Sequence, residues 1–83
     1  INKDLNISLI GSRIKELRKI KNLTVRDLAD ALNTSASTIS AYENGKSLII
    51  TAFLYEMCKK LNVSADYITG RSNTIKIYVK LDK

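Results

Sequence analysis

The chain has 83 residues with one cysteine, no histidine and a net charge of +6, and this basic excess favours a polyanionic partner such as nucleic acid. Its length predicts one domain near the lower limit for a self-sufficient core, so self-association is expected to add stability. The lack of histidine excludes most zinc sites and the Ser-His and Cys-His pairs of hydrolases, and no apolar run has the length of a membrane span or the pattern of a signal peptide. We therefore expect a cytoplasmic protein that is not an enzyme and that binds no metal, cofactor, small-molecule substrate or membrane.

The first element of the chain is predicted to be a strand. Leu5, Ile7 and Leu9 alternate with polar residues, and a period of two that includes β-branched residues is typical of strands. We predict a strand at Asp4–Leu9 and assign residues 1–9 to an N-terminal extension.

A first amphipathic helix is predicted at Ile10–Lys21. Its apolar residues Ile10, Ile14 and Leu17 recur at helical spacing, with polar residues between them. Asn22 is predicted to end this helix, because asparagine tolerates the left-handed conformation better than most residues.

Two short helices follow, separated by a tight turn. The second helix is predicted to begin at Thr24, which has capping-box spacing to Asp27, and to end at Asn33. Ser35 caps a third helix at Ala36–Glu43, which an Asn-Gly turn ends. The side chains expected to face inward from these two helices are Leu28, Ala29, Leu32, Ile39 and, in part, Tyr42.

Two further helices and a second strand complete the chain. The helices are predicted at Thr51–Leu61 and at Ala65–Thr69, and Ser64 caps the latter. Thr74–Asp82 alternates apolar and polar residues, which predicts a strand within a C-terminal extension of residues 73–83. Because a lone strand is not stable, we expect it to pair with the N-terminal strand as an antiparallel ribbon, or with a strand of a second copy.

Four motifs occur in the order and spacing of a known family. They are RIKELR at residues 13–18, TIS at 38–40, YENGK at 42–46 and DYITGRS at 66–72. Together with LTVRDLA at 23–29, they resemble the Cro and phage-repressor type of helix-turn-helix, the XRE family. The resemblance covers residues 10–72 and implies an all-α, five-helix repressor-like DNA-binding domain. The alternation noted above adds short β-strands at the N- and C-terminal ends, outside this domain. It also implies sequence-specific binding of double-stranded DNA by a transcriptional regulator, in particular a repressor.

Physical reasoning about the helix pair points the same way. The second and third helices share an apolar inner face and leave the outer face of the third helix free. A helix presented in this way fits the major groove of B-DNA. The alternative is a helical hairpin that only packs within the protein.

The resemblance implies roles for individual positions. The third helix and its cap are expected to face base edges and flanking phosphates through Ser35, Ala36, Ser37, Thr38, Ser40 and Ala41. The DNA backbone is expected to be contacted by Thr24, Val25, Arg26, Asn44 and Lys46. Arg18 and Glu43 are expected to form a partly buried salt bridge that links the first helix to the end of the third; the alternative is two solvated surface charges.

Two features depart from the pattern of the family. Val25 stands where the family commonly has a glutamine that binds a phosphate, and valine cannot donate a hydrogen bond. The outer face of the third helix also lacks Arg, Gln and Asn, the residues that make bidentate contacts to bases. We therefore expect modest direct readout, helped by DNA shape and phosphate contacts. The competing function is a protein-interaction or oligomerisation module on the same scaffold, such as an antitoxin or anti-repressor partner.

The connection between the third and fourth helices carries three consecutive apolar residues, Leu48–Ile50, which need a cover. They either pack against the fourth helix or contact a second copy of the chain. We expect a homodimer in both cases, because two half-sites multiply affinity and operator symmetry mirrors protein symmetry. Leu48–Ile50 and the terminal strands are the candidate contacts.

Overall fold

The computed structural model describes residues 6–73, and this part of the chain folds as five α-helices. In chain order they are α1 (Ile7–Ile20), α2 (Val25–Ala31), α3 (Ala36–Glu43), α4 (Thr51–Leu61) and α5 (Ala65–Thr69). The prediction of five helices in a repressor-like arrangement is confirmed. The predicted C-terminal strand lies outside the described residues. None of the helices within 6–73 is long and apolar enough to cross a lipid bilayer.

The N-terminal strand prediction was wrong for Ile7–Leu9, because these residues form the first turn of α1. The Asn6 side chain accepts a hydrogen bond from the Leu9 N–H at 3.0 Å and so caps the helix. Ile7 also lies at helical spacing from Ile10 and Ile14, so the apolar positions fit a helix as well as a strand. The cap at Asn6 fits only the helix, and the first helix therefore starts before Ile10.

The predicted helix ends follow local chemistry. Asn22, Asn33 and Asn62 adopt φ angles of 59°, 58° and 61°, the left-handed conformation that stops a helix. At the other ends, the side chains of Thr24 and Ser35 accept backbone N–H groups of the first turns of α2 and α3. These polar residues fix where α2 and α3 begin, and the turn between the two helices is bounded by Asn33 and Ser35.

Each helix contributes a fully buried residue to one core. Ile14, Leu28, Ile39, Met57 and Ile68 come from α1 to α5 in turn, and all are 0% exposed. Burying a side chain of this size stabilises the fold by about 1.5–3 kcal/mol. The core lies on the inner side of α2 and α3 and leaves the opposite side of α3 uncovered.

Helix α1 crosses the end of α3 at a glycine. A Cβ atom added to Gly11 would meet the carbonyl oxygens of Tyr42 and Glu43, the latter at 2.6 Å. Both neighbours are backbone atoms, so a larger residue would push the two helices apart. Gly11 therefore sets the close approach of α1 and α3.

Arg13 and Glu16 of α1 hold α5. The Tyr67 hydroxyl donates to Glu16 Oε1 at 2.5 Å, and the Arg13 guanidinium lies 4.2 Å from the centre of the Tyr67 ring. Arg13 also donates to the carbonyl oxygens of Tyr67 and Ser72, at 2.7 and 2.8 Å. The hydrogen bond to Glu16, together with burial, raises the pKa of Tyr67 above its ordinary value.

Candidate nucleic-acid interface

Helix α2 and helix α3 form a helix-turn-helix. A reciprocal capping box opens α2: the Thr24 N–H donates to Asp27 Oδ2 at 2.9 Å, and the Asp27 N–H donates to Thr24 Oγ1 at 3.0 Å. The Thr24 N–H lowers the pKa of the Asp27 carboxyl, since it stabilises the charged form. In the turn that follows, the Thr34 N–H donates to the Ala29 carbonyl at 2.9 Å. Ala29 is 0% exposed, and its small side chain lies inside the helix pair.

Arg18 and Glu43 join α1 to the end of α3. Arg18 Nε donates to Glu43 Oε2 at 2.6 Å, and Nη2 donates to Oε1 at 3.1 Å, so the pair is bidentate. The two residues are 8% and 9% exposed, and they are therefore not a pair of solvated charges. A further bond from Arg18 Nη1 reaches the carbonyl of Leu23 at 2.8 Å, in the segment before α2. The hydrogen bond to Glu43 raises the pKa of Arg18 above its ordinary value.

Helix α3 turns one face inward and one outward. Ile39, Tyr42 and Glu43 are buried. The positions expected to face DNA lie on the opposite side, where each is partly or fully exposed: Ser35, Ala36, Ser37, Thr38, Ser40 and Ala41. The structure therefore brings these six positions to one uncovered surface, which we call the α3 outer face.

The positions expected to contact the DNA backbone divide into two groups. Arg26, Asn44 and Lys46 are exposed, and Asn44 Nδ2 donates to Ser40 Oγ at 3.2 Å. Thr24 is also exposed, but its hydroxyl oxygen serves the α2 cap. Val25 is half-buried and packs against the core, so its side chain contributes to α2 packing and offers no polar atom.

The apolar residues of the α3–α4 connection are divided between core and surface. Ile49 is 9% exposed and belongs to the core, whereas Leu48 and Ile50 are 46% and 57% exposed. Burial within the chain, the first alternative for this segment, therefore holds for Ile49, and contact with a second copy stays a prediction for Leu48 and Ile50. An open groove of about 420 Å³ separates the exposed pair from α3, and its lining consists of Ser37, Thr38, Ala41, Tyr42, Ser47, Leu48 and Ile50.

Sequence reasoning missed Gly11 and one hydrogen bond of Ser40, and both concern α3. Gly11 permits the close approach of α1 to α3, and no local pattern marks it, because the contact joins residues distant in sequence. Ser40 was assigned to base contact, but its hydroxyl accepts from Asn44 one helical turn later. The i, i+4 spacing of these two residues could have indicated that contact.

The fold and this site define a helix-turn-helix protein. Residues 11–76 match the model of the family described as "Helix-turn-helix domain", and the chain belongs to this family, within its XRE and phage-repressor type. Among curated relatives, the antitoxin PezA of Streptococcus pneumoniae is 37% identical over 67 residues, which cover 81% of this chain and 42% of PezA. The HTH-type transcriptional regulator YazB of Bacillus subtilis is 38% identical over 56 residues, which cover 68% of this chain and 81% of YazB.

Solved structures of regulators share the fold. The P22 c2 repressor, crystallised with a synthetic operator, superposes with a TM-score of 0.69 at 28% identity over 72% of this chain and 91% of the repressor chain. The biofilm regulator SinR, in complex with DNA, gives a TM-score of 0.66 at 30% identity over 71% of this chain and 95% of its own. HppE, crystallised with Fe(II) and substrate, is 22% identical over 37% of its length, which shows a shared fold alone.

Proposed function

We propose that this chain binds double-stranded DNA sequence-specifically and regulates transcription as a repressor. The observation that carries the proposal is the α3 outer face, uncovered on one side and held on the other by the buried Arg18–Glu43 pair. The chain also carries a net charge of +6, which attracts the DNA backbone and raises encounter rates. A role on DNA implies a cytoplasmic protein.

The backbone contacts are proposed to come from both ends of the helix-turn-helix. Arg26 lies in the first turn of α2, and Lys46 follows the end of α3; both are exposed cations. The N-terminus of α3 adds free N–H groups, which favour a phosphate. These contacts would position α3 in the major groove without reading the sequence.

The test is selection of bound duplexes from a random DNA pool, followed by affinity measurements on the parent protein and Ser37→Glu. Ser37 is exposed in the first turn of α3, where a carboxylate is favourable for the helix but repels phosphates. We expect the variant to fold normally and to lose most of its affinity for the selected site.

Ala65→Glu is the matched control for that experiment. It places the same charge in the first turn of α5, outside the helix-turn-helix, and leaves the same net charge on the protein. Retained affinity in the control together with loss in Ser37→Glu supports binding through α3. Equal affinity in both variants contradicts it.

We further propose a homodimer that includes the exposed pair Leu48 and Ile50. The segment Ser47–Tyr55 carries no charged residue, although 22 of the 83 residues of the chain are charged. Two positively charged copies meet most easily through an uncharged surface. Leu48 and Ile50 protrude from this segment, so a twofold arrangement can pack the pair of one copy against the pair of the other. The terminal segments would add to the same assembly.

The mass in solution tests the dimer. Ile50→Asp places two like charges at the proposed contact, yet aspartate is a good N-cap residue for α4, so the monomer should remain folded. We expect its mass by light scattering to fall from twice to once the chain mass of 9.3 kDa. Ile20→Asp, at another isoleucine that is 50% exposed, is the control and should remain dimeric.

Two results would contradict parts of this proposal. A parent protein that is monomeric at tens of micromolar, or a dimeric Ile50→Asp variant, removes Leu48 and Ile50 from the contact. Deletion from Thr74 onward with an unchanged mass removes the C-terminal extension from it.

An antitoxin or other protein-binding role is the second candidate, favoured by the similarity to PezA. The chain spans less than half of PezA, so what PezA does as a whole protein carries over here only as a hypothesis. Duplex binding that weakens steeply with salt supports the regulator. No binding of any duplex at low salt supports the protein-binding role.

A further inference from the structure

The polar groups of the α3 outer face already have partners within the protein. Ser35 Oγ lies 3.0 Å from Ser37 Oγ and 2.9 Å from Thr38 Oγ1, and it accepts the Thr38 N–H at 3.2 Å. Three hydroxyls joined by two mutual hydrogen bonds retain one O–H to donate elsewhere. This cluster can therefore offer DNA a single hydroxyl donor.

The other hydroxyl of the face is engaged as an acceptor and keeps its own O–H. Ser40 Oγ accepts from Asn44 Nδ2 at 3.2 Å, which fixes both side chains along one edge of α3. A single hydroxyl discriminates bases poorly, because it can donate or accept and makes no bidentate pair. Hydrogen bonding from this face thus carries little sequence information.

Two positions on the same face are apolar and partly exposed. Ala36 is the first residue of α3, and Ala41 lies one and a half turns later, at the edge of the groove. The only apolar feature that the bases present in the major groove is the C5-methyl group of thymine. A methyl side chain on a recognition helix is suited to contact it.

We propose that α3 selects thymine through methyl contacts, with Ala36 and Ala41 as the specificity-determining residues. This inference rests on the proposed DNA-binding function. Removing one methyl from water changes affinity by about fourfold. Selectivity is then a sum of small apolar contributions at several thymines, and bound sites are rich in T·A pairs where α3 meets the major groove.

Deoxyuridine substitution tests the contact directly, since it removes the C5-methyl and keeps every hydrogen-bonding group of thymine. In a duplex obtained by selection, each thymine is replaced in turn and the affinity is measured. We expect a loss of about fourfold at one or two positions in each half-site. At those positions C·G pairs should bind more weakly, and 5-methylcytosine should recover about fourfold of the loss.

Alanine-to-glycine variants connect the effect to the protein. In Ala36→Gly and Ala41→Gly, the affinity ratio between thymine and deoxyuridine should fall to about 1 at the contacted position, because the methyl has lost its partner. Ala65→Gly is the control: Ala65, like Ala36, is the first helical residue after a serine cap, and the change has the same cost in helix propensity. It should keep the ratio of the parent protein.

The outcomes separate this inference from the function beneath it. If deoxyuridine changes affinity nowhere in a bound site, or if neither glycine variant at Ala36 or Ala41 alters the ratio, methyl readout is wrong and DNA binding stands. If no duplex is selected at all, the DNA-binding function fails, and methyl readout fails with it.

Discussion

At the scale of single residues, the Arg18–Glu43 pair determines how firmly α3 is presented. Its hydrogen bonds are bidentate and both side chains are buried, so the pair is shielded from solvent screening. The additional bond from Arg18 to the Leu23 carbonyl extends this hold to the start of the helix-turn-helix. The guanidinium of Arg18 therefore links α1 to the end of α3 and to the segment before α2.

Replacing Glu43 with Gln is expected to lower the free energy of unfolding by about 3 kcal/mol, because it leaves a buried cation without a counter-charge. DNA affinity should fall with it, since α3 loses its link to α1. Urea unfolding and duplex titration measure the two effects. Asp30→Asn removes an exposed carboxylate from α2 and should change stability by less than about 0.5 kcal/mol. An unchanged melting temperature and affinity in Glu43→Gln would count against the pair.

Tyr67 gives a prediction about alkaline pH. Its pKa is raised in the folded protein, first because its hydroxyl donates to Glu16, so the folded state favours the neutral phenol. The stabilisation is complete below the ordinary tyrosine pKa of about 10 and is lost as pH rises through the folded pKa. The stability difference between the parent and Tyr67→Phe, measured by urea unfolding, should therefore shrink above about pH 10. A difference that stays constant to pH 11.5 would contradict a raised pKa of Tyr67 in the folded protein.

At the scale of elements, the helix boundaries follow from residues next to them in sequence. The caps at Thr24 and Ser35 and the left-handed asparagines act within one helical turn, and a sequence pattern can predict them. The start of α1 was misjudged because Ile7 alternates with its polar neighbours as in a strand but also lies at helical spacing from Ile10 and Ile14. The Asn6 cap that decides between them is equally local, but its role depends on the helix that follows.

Other features of the site depend on tertiary contacts and could not be predicted from the sequence. Leu48–Ile50 was expected to need a cover, and only packing decides that Ile49 enters the core while its neighbours stay exposed. Phe53 packs beside the Tyr42 ring, with ring centres 6.1 Å apart, and no local pattern links these two residues. The sequence shows that valine stands at position 25 in place of the family's glutamine, but it does not show that Val25 is half-buried.

The contact between α1 and α3 provides a prediction at this scale. Gly11→Ala adds a methyl where two backbone carbonyls of α3 already stand. Alanine favours a helix by about 1 kcal/mol over glycine, but overpacking costs about 1–3 kcal/mol, so we expect a net loss of stability and a displaced α3. Thermal unfolding and DNA affinity should both decline. Ser12→Ala, at the exposed neighbouring position, should be nearly neutral, and a stabilised Gly11→Ala would show that the helices have room to spare.

At the scale of the whole molecule, the proposed functions depend on the net charge and on one uncharged segment that carries exposed apolar side chains. The net charge of +6 suits a polyanion, while the uncharged segment Ser47–Tyr55 suits contact between copies. The match over residues 11–76 leaves little of the chain outside the family domain. The proposed DNA contact and the proposed contact between copies therefore both lie on the family domain.

The central claim is that this chain binds DNA through α2 and α3. The most direct test is to measure how duplex affinity depends on salt in variants that each lack one cation. Log affinity should fall steeply and linearly with log salt for the parent protein. Arg26→Gln and Lys46→Gln should each reduce that slope by about 1, as expected for the loss of one phosphate contact. Lys60→Gln, an exposed cation on α4, should leave the slope unchanged. Affinity that does not depend on salt, or equal slopes in all three variants, would contradict the claim.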